Sequence, residues 1–363
     1  RMGGQVQVAQ CIGRGDREKA HGFAQAAVQL AAAMGMVYAI LSLVFTKQMV
    51  GFFQFTDVEA HAAAMSYTRI ACGLIVFSFM TLTLTGLYTA QGDSKTPFLA
   101  NLIGLVTNMI LDPVLILGSG PFPKLGVIGA AIATVMAQVL SVVFAVILLM
   151  KKKLPFTITK QDFHFNCQCS RFLEIGLPLA LQECLTQISF LALCAFVNRL
   201  GLEASSGYGV ACKIVNFAML VPSALMQSMA SFVSQNVGAG KLKRAKQSMF
   251  TGIGVGLAVG CVVFVLVMLR GDLLTGLFTT DAAVVQRGYE YLKGFALETI
   301  VTAVLFSMIG YFNGNNKTVW VMTQGLIQTL LVRLPFAYFM SIQPDASLTM
   351  IGLAAPISTM VGI

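Results

Sequence analysis

The chain has 363 residues, of which 56% are hydrophobic and only 11% charged, and its mean hydropathy is +0.79; a soluble domain carries about 25% charged residues, so a soluble globular fold is excluded. The net charge of +9 raises the question of nucleic acid, but no basic face interleaved with aromatic residues is present, and the cations follow the loops instead.

Arg1 stands within what reads as the end of a membrane helix, so an N-terminal piece is expected to be missing. Apolar runs then follow at 23–46, 70–91, 98–118, 125–150, 172–198, 214–237, 247–269, 287–312, 319–341 and 350–363. Most reach the roughly 20 residues that a helix needs to cross a hydrocarbon core. None alternates in the ~10-residue units of a membrane β-strand, so an α-helical membrane protein with about ten spans is expected, the last cut short. Arg14, Arg17, Lys19, Lys95, Lys151–Lys153, Lys160, Arg171, Lys241, Lys243, Arg244, Lys246 and Lys317 fall in one set of alternate loops, and only Lys47, Lys124, Arg199, Arg270 and Arg287 in the other. That bias is the positive-inside pattern. It places the richer set in the cytoplasm and the protein as a multi-pass chain in the inner (plasma) membrane.

Two charged phrases are nearly the same. "AQCIGRGDREKA" begins at Ala9 and "SQNVGAGKLKRA" at Ser234, with Gln10, Gly13, Gly15 and Ala20 matching Gln235, Gly238, Gly240 and Ala245 at a constant offset of 225. "GDSKTPF" from Gly92 and "GNNKTVW" from Gly314, and Pro113 and Pro335, match at 222. Segments ending in Tyr67 and Tyr289 read as short outer loops leading into the next spans. A repeat this long is domain-sized rather than a solenoid unit. Six crossings separate the two opening phrases, an even number, which gives parallel repeats about an axis along the membrane normal, a layout of secondary transporters. The expected division is an N-terminal lobe over 1–150, a cytoplasmic linker over 151–171 and a C-terminal lobe over 172–363.

"QGDSKTPF", "NMILDPVLIL", "LGVIGAAIATV", "EIGLPLALQE" and "SQNVGAGKLKRA", in this order and spacing, resemble the signature segments of the multidrug and toxic compound extrusion (MATE) transporters. The resemblance covers essentially the whole chain. It implies two pseudo-symmetric six-helix lobes, twelve helices in the full protein, here without the first helix, most of the second and the end of the twelfth. It also implies export of cationic, often aromatic small molecules in exchange for Na+ or H+ by alternating access, by a monomer that needs no cofactor beyond the coupling ion and has membrane lipid, not nucleic acid, around it. A lipid-linked oligosaccharide flippase of the same superfamily is the alternative. Such flippases tend to carry several cavity-lining cations, and only Lys213 and Arg333 are available here.

Ionisable residues inside spans are functional candidates because of what they cost there. Glu183, five residues after Pro178, matches a position where many relatives carry a cavity-facing glutamate, and its expected burial would suit proton exchange; the plainer reading is a packing hydrogen bond to Gln182 or Gln187. Asn108 and Asp112, four apart, share a helix face, and with Thr134 they resemble an oxygen-rich site for sodium or a proton in archaeal relatives. Otherwise Asp112 serves backbone groups freed by Pro113. Glu298 lies where some relatives place an acidic coupling residue, or else is an outer-end residue paired with Arg287 or Lys293. Lys213 matches a basic residue common in the family and is either a partner for Glu183 or a snorkelling side chain; Arg333 could pair with a carboxylate.

Other signals are bland. Gly252, Gly256 and Gly260, with Gly254 between, lie within a span and read as close helix packing rather than a dinucleotide loop. "GAGK" from Gly238 lacks phosphate-loop spacing, and no HExxH or GxSxG is present, so no enzyme is expected and energy must come from an ion gradient. Cys167 and Cys169 beside His164 form a lone CxC, weak evidence for zinc, and no metal site is expected.

Overall fold

The computed structural model describes residues 1–51, 58–118, 123–151, 168–344 and 346–363. Most of the linker, 152–167 with His164 and Cys167, lies outside the described residues. The chain divides into two compact units, Arg1–Leu173 and Glu174–Ile363, both all-helical among the described residues.

Unit 1 contains α1 (Met2–Arg14), α2 (Arg17–Val44), α3 (Thr46–Gly51), α4 (Val58–Gly73), α5 (Val76–Ala90), α6 (Lys95–Leu117) and α7 (Val127–Lys151). Gly15 closes α1 in the left-handed region at φ 77°, and the side chain of Asp16 then caps α2 by accepting from the Lys19 amide at 3.1 Å. The core lies where α1, α2, α5 and α7 meet, around Val8, Phe23, Leu87 and Tyr88, whose hydroxyl donates to the Ala145 carbonyl at 2.7 Å.

Unit 2 begins within α8 (Gln168–Asn198) and continues with α9 (Leu202–Ala218), α10 (Leu220–Gly238), α11 (Leu242–Gly276), α12 (Ala282–Phe295) and α13 (Glu298–Gly314). Then α14 (Thr318–Leu326) runs through a π-helical stretch, Ile327–Arg333, into α15 (Leu334–Ser341), followed by α16 (Leu348–Gly352) and α17 (Ala354–Gly362). Pro335 stands at the start of α15. It cannot donate to the turn before it, and the wider π turn is one way a helix absorbs that loss.

The repeat is visible inside each unit. Gly240 repeats the left-handed turn of Gly15, at φ 72°. Phe45, which ends α2, corresponds to Arg270, the non-helical residue (φ −138°) inside α11. Most telling, α4 and α5 meet at a bend of 43°, and α12 and α13 at one of 48°. The offset of 222 carries the first break, after Gly73, onto the second, after Phe295. The expectation of outer loops ending at Tyr67 and Tyr289 is therefore corrected: both tyrosines lie within helices, in the first arm of a bent span. Charge counting misplaced the span starts because the first arm carries polar residues. Among the described residues, six helices are long and apolar enough to cross a membrane, or eight if each bent pair is one span. The runs at 319–341 and 350–363 are the remaining two of the ten expected, interrupted by the π turn in one case and short in the other.

The glycine stripe of α11 packs as its spacing predicts. A Cβ on Gly256 would meet that of Ala303 at 3.0 Å, and one on Gly260 would collide with the Thr299 carbonyl of α13, whereas Gly254 faces open space. Opposite stability effects follow for two alanine substitutions. Gly254→Ala should stabilise by roughly 0.5–1 kcal/mol, because it removes backbone freedom from a helical position. Gly240→Ala should cost about 1–2 kcal/mol, because it forces a Cβ into the left-handed region. Thermal unfolding in detergent compares the two directly.

Candidate functional site

Two polar clusters lie within otherwise apolar spans, one in each unit. In unit 1, Asn108 and Asp112 of α6 come together with Thr134 of α7: the Asn108 amide donates to Asp112 Oδ1 at 3.3 Å and to Thr134 Oγ1 at 3.5 Å. Thr134 spends its own proton on the Ala130 carbonyl at 2.9 Å, which leaves its oxygen free to accept. All three side chains are half-buried. Asn108 and Thr134 also line an open cleft of about 240 Å³ shared with Thr81, Asn101, Gln138 and Ser141.

In unit 2, Glu298 opens α13 at the bend and is 6% exposed. A directional hydrogen-bond chain ends on it. Gln324 donates to Gln328 (2.6 Å), Gln328 to Thr359 (2.9 Å), and Thr359 to Glu298 Oε1 (2.8 Å). Bonds aligned donor to acceptor polarise one another, so the chain delivers a strong donor to that oxygen. The other oxygen, Oε2, is buried and makes no well-formed hydrogen bond among the described residues, but Thr302, one turn along the same helix, lies close enough to interact with the carboxylate, and the buried Arg333 acts on it through its charge. Arg333, also 6% exposed, donates from Nε to Ser358 at 3.2 Å and lies 5.3 Å from the Phe190 ring centre. Ser358 and Thr359 are consecutive in α17, so Arg333 and Glu298 are held by neighbouring residues of one helix.

The remaining candidates fall elsewhere. Glu183 is exposed rather than buried, and its Oε1 accepts from Gln187 at 3.2 Å. Its depth in the span did not imply cover, because that face of α8 is not packed within unit 2. Lys213 is exposed and lies over the Phe278 ring at 5.6 Å, with no ion pair to Glu183 among the described residues. The pairing of Glu298 with Arg287 or Lys293 is also corrected. Arg287 bonds Glu290 at 3.1 Å, and Lys293 sits 4.2 Å from the Tyr289 ring centre. Sequence reasoning missed Gln324, Gln328, Ser358 and Thr359. The two glutamines, four apart in an apolar run, were the available signal.

The two clusters are not copies of one another. At the offset of 222, Glu298, Gln328 and Arg333 correspond to Val76, Val106 and Leu111, while Asn108 and Asp112 correspond to Leu330 and Leu334.

Repeated helical units with bent spans and buried ionisable groups define an integral membrane transporter. The family model described as MatE matches residues 1–114 and 178–339, and the chain belongs to the MATE family, whose members are multi-pass membrane transporters and not enzymes. It is 28% identical over 283 residues to the probable multidrug resistance protein YoeA of Bacillus subtilis (strain 168), an alignment covering 77% of this chain and 61% of that protein. With the probable multidrug resistance protein NorM of Bacillus thuringiensis subsp. konkukian (strain 97-27) it shares 26% over 342 residues, 93% of this chain and 75% of that one. The chain thus spans about three fifths to three quarters of the length of these relatives. A solved outward-facing MATE family transporter of the MOP superfamily superposes with a TM-score of 0.91 at 22% identity, over 99% of this chain and 80% of the other; that likeness is one of fold.

Proposed function

We propose that the protein exports cationic or aromatic small molecules in exchange for Na+ or H+ by alternating access, with a cation-responsive group in each unit. The observation that supports this reading is Glu298: a buried carboxylate with one oxygen fixed by Thr359 and the other held only loosely, by Thr302 on the next turn and the charge of buried Arg333. A buried carboxylate is costly unless it is paired or neutralised. Arg333 meets part of that need through its charge, and a proton or a sodium ion on Oε2 would meet the rest, which is how the energy of this arrangement would respond to cation binding. In unit 1 the Asn108 amide presents its NH2 to Asp112 and Thr134. A half-turn of the amide would present Oδ1 instead, giving three oxygens of the kind hard cations prefer, with water completing the shell. Glu183, exposed and ionisable, is assigned to the cationic substrate rather than to the coupling ion.

Purified protein in proteoliposomes, loaded with ethidium and given either a sodium or a pH gradient, tests the proposal. Efflux that follows one of the gradients supports it. Gradient-independent behaviour, or movement of a lipid-linked oligosaccharide in place of ethidium, overturns it. Asp112→Asn should lower gradient-driven efflux by roughly fivefold or more, the lower range of coupling between sites, while leaving unit 1 folded, because asparagine still accepts from Asn108.

A further inference from the structure

The duplicated turns give each unit an equivalent corner, and the two corners differ in charge. In unit 1, Ala20 at the start of α2 and Ala90 at the end of α5 share one buried cluster with the end of α1. In unit 2, Val233 of α10, Ala245 of α11 and Tyr311 of α13 pack in the same way, and Ser234 donates to the Gly314 carbonyl at 3.2 Å. The first corner carries Arg14, Arg17, Lys19 and Lys95 against Asp16, Glu18 and Asp93, a net +1. The second carries Lys241, Lys243, Arg244, Lys246 and Lys317 with no carboxylate, a net +5. At the offset of 225, Asp16 is replaced by Lys241 and Glu18 by Lys243.

The first corner neutralises itself. Lys19 Nζ lies 2.9 Å from Asp16, and its hydrogen bonds hold the Asp16 carboxyl below the usual carboxylate range. Asp93 accepts from the Lys95 and Thr96 amides and the Thr96 hydroxyl. The cations of the second corner are exposed and in no ion pair among the described residues; Arg244 is steadied over the Phe232 ring at 5.3 Å. Leu242 (61%) and Phe250 (59%) are exposed on the same helix as it enters the span. Counted as Lys and Arg alone, which is what orients a membrane chain, the two corners are alike, four against five; what sets them apart is the three carboxylates that the second corner lacks.

We propose that this corner of unit 2 binds anionic phospholipid, with phosphate headgroups on Lys241, Lys243, Arg244 and Lys246 and acyl chains along Leu242 and Phe250. Basic residues beside an anionic leaflet contribute about 1 kcal/mol each, roughly fivefold in affinity. The apolar flank distinguishes a lipid from a soluble phosphate.

The test counts lipids retained by the detergent-purified protein in native mass spectrometry after incubation with phosphatidylglycerol or phosphatidylcholine. Wild type should retain phosphatidylglycerol over phosphatidylcholine by roughly tenfold or more, and K241D/K243E, which carries the residues of unit 1, should lose most of that preference. The reciprocal D16N/E18K, which keeps a capping side chain at position 16, should gain phosphatidylglycerol and so gives a reading even if the first variant folds poorly. Equal retention of the two lipids by wild type, an unchanged preference in a folded K241D/K243E, no gain in D16N/E18K, or displacement by millimolar soluble glycerol phosphate would each overturn the proposal.

Discussion

Glu298→Gln should leave unit 2 folded and remove gradient-driven efflux. Glutamine has nearly the volume of glutamate, and its amide oxygen can still accept the Thr359 proton, so the chain from Gln324 stays closed. What it loses is the ability to exchange a cation at the second oxygen. Coupling between two binding events is typically worth about 1–3 kcal/mol, or 5–150-fold, so the loss of driven efflux should reach at least about tenfold while ethidium binding persists. Glu298→Leu separates coupling from architecture. It strands the Thr359 hydroxyl and should also cost about 1–3 kcal/mol of stability for an unsatisfied buried group. Driven efflux at the wild-type rate and ion dependence in Glu298→Gln would remove unit 2 from the coupling scheme and leave Asp112 as the leading group.

Gly294→Val should unfold or gravely weaken unit 2. The residue lies one position before the end of α12, where the helix crosses α16 backbone to backbone. A Cβ there would overlap the Thr349 carbonyl and approach the Gly352 Cα to 3.1 Å, and a Cβ on Gly352 would meet the Tyr291 carbonyl at 2.6 Å. Side chains can turn aside, but peptide groups cannot. Overpacking costs about 1–3 kcal/mol even where side chains give way, and this contact also carries the bond from Thr349 to the Glu290 carbonyl at 2.9 Å. Thermal unfolding should show a large drop for Gly294→Val beside the small rise expected of Gly254→Ala. Equal melting of Gly294→Val and wild type would mean that the two helices do not approach as closely as described.

Hydropathy was enough to find the spans, because crossing a bilayer demands a length and a composition that a linear string records. The repeat was legible through its turns, where Gly15 and Gly240 supply a backbone conformation that few other residues tolerate. The bends were not. A glycine marks the bend of unit 1, at Gly73, but Phe295, Ala296 and Leu297 at the bend of unit 2 are indistinguishable from any apolar helix, and the charged first arms blur the start of each span. Asn108 and Asp112 were found as a pair because four residues make one helical turn. Thr134 entered through the family resemblance, and the structure brings it to the pair. The unit 2 cluster drew on neutral residues up to 61 positions from Glu298, a distance over which spacing says nothing. Glu183 shows the converse failure, since depth along a helix does not tell which face its neighbours cover.

The unlike placement of the two polar clusters bears on ancestry. If the halves descend from one duplicated segment, the copy inherited its turns, its broken span and its proline, and kept them because each is a requirement of fitting a chain into a bilayer. The ionisable groups were under no such demand to match, and they now stand at positions that their counterparts fill with valine or leucine. A chain assembled from two copies of the first half would therefore inherit the architecture twice over and the glutamate of the second half not at all. Under that descent the turns and the bends are what the two halves share, and the polar residues of the two clusters are what they do not.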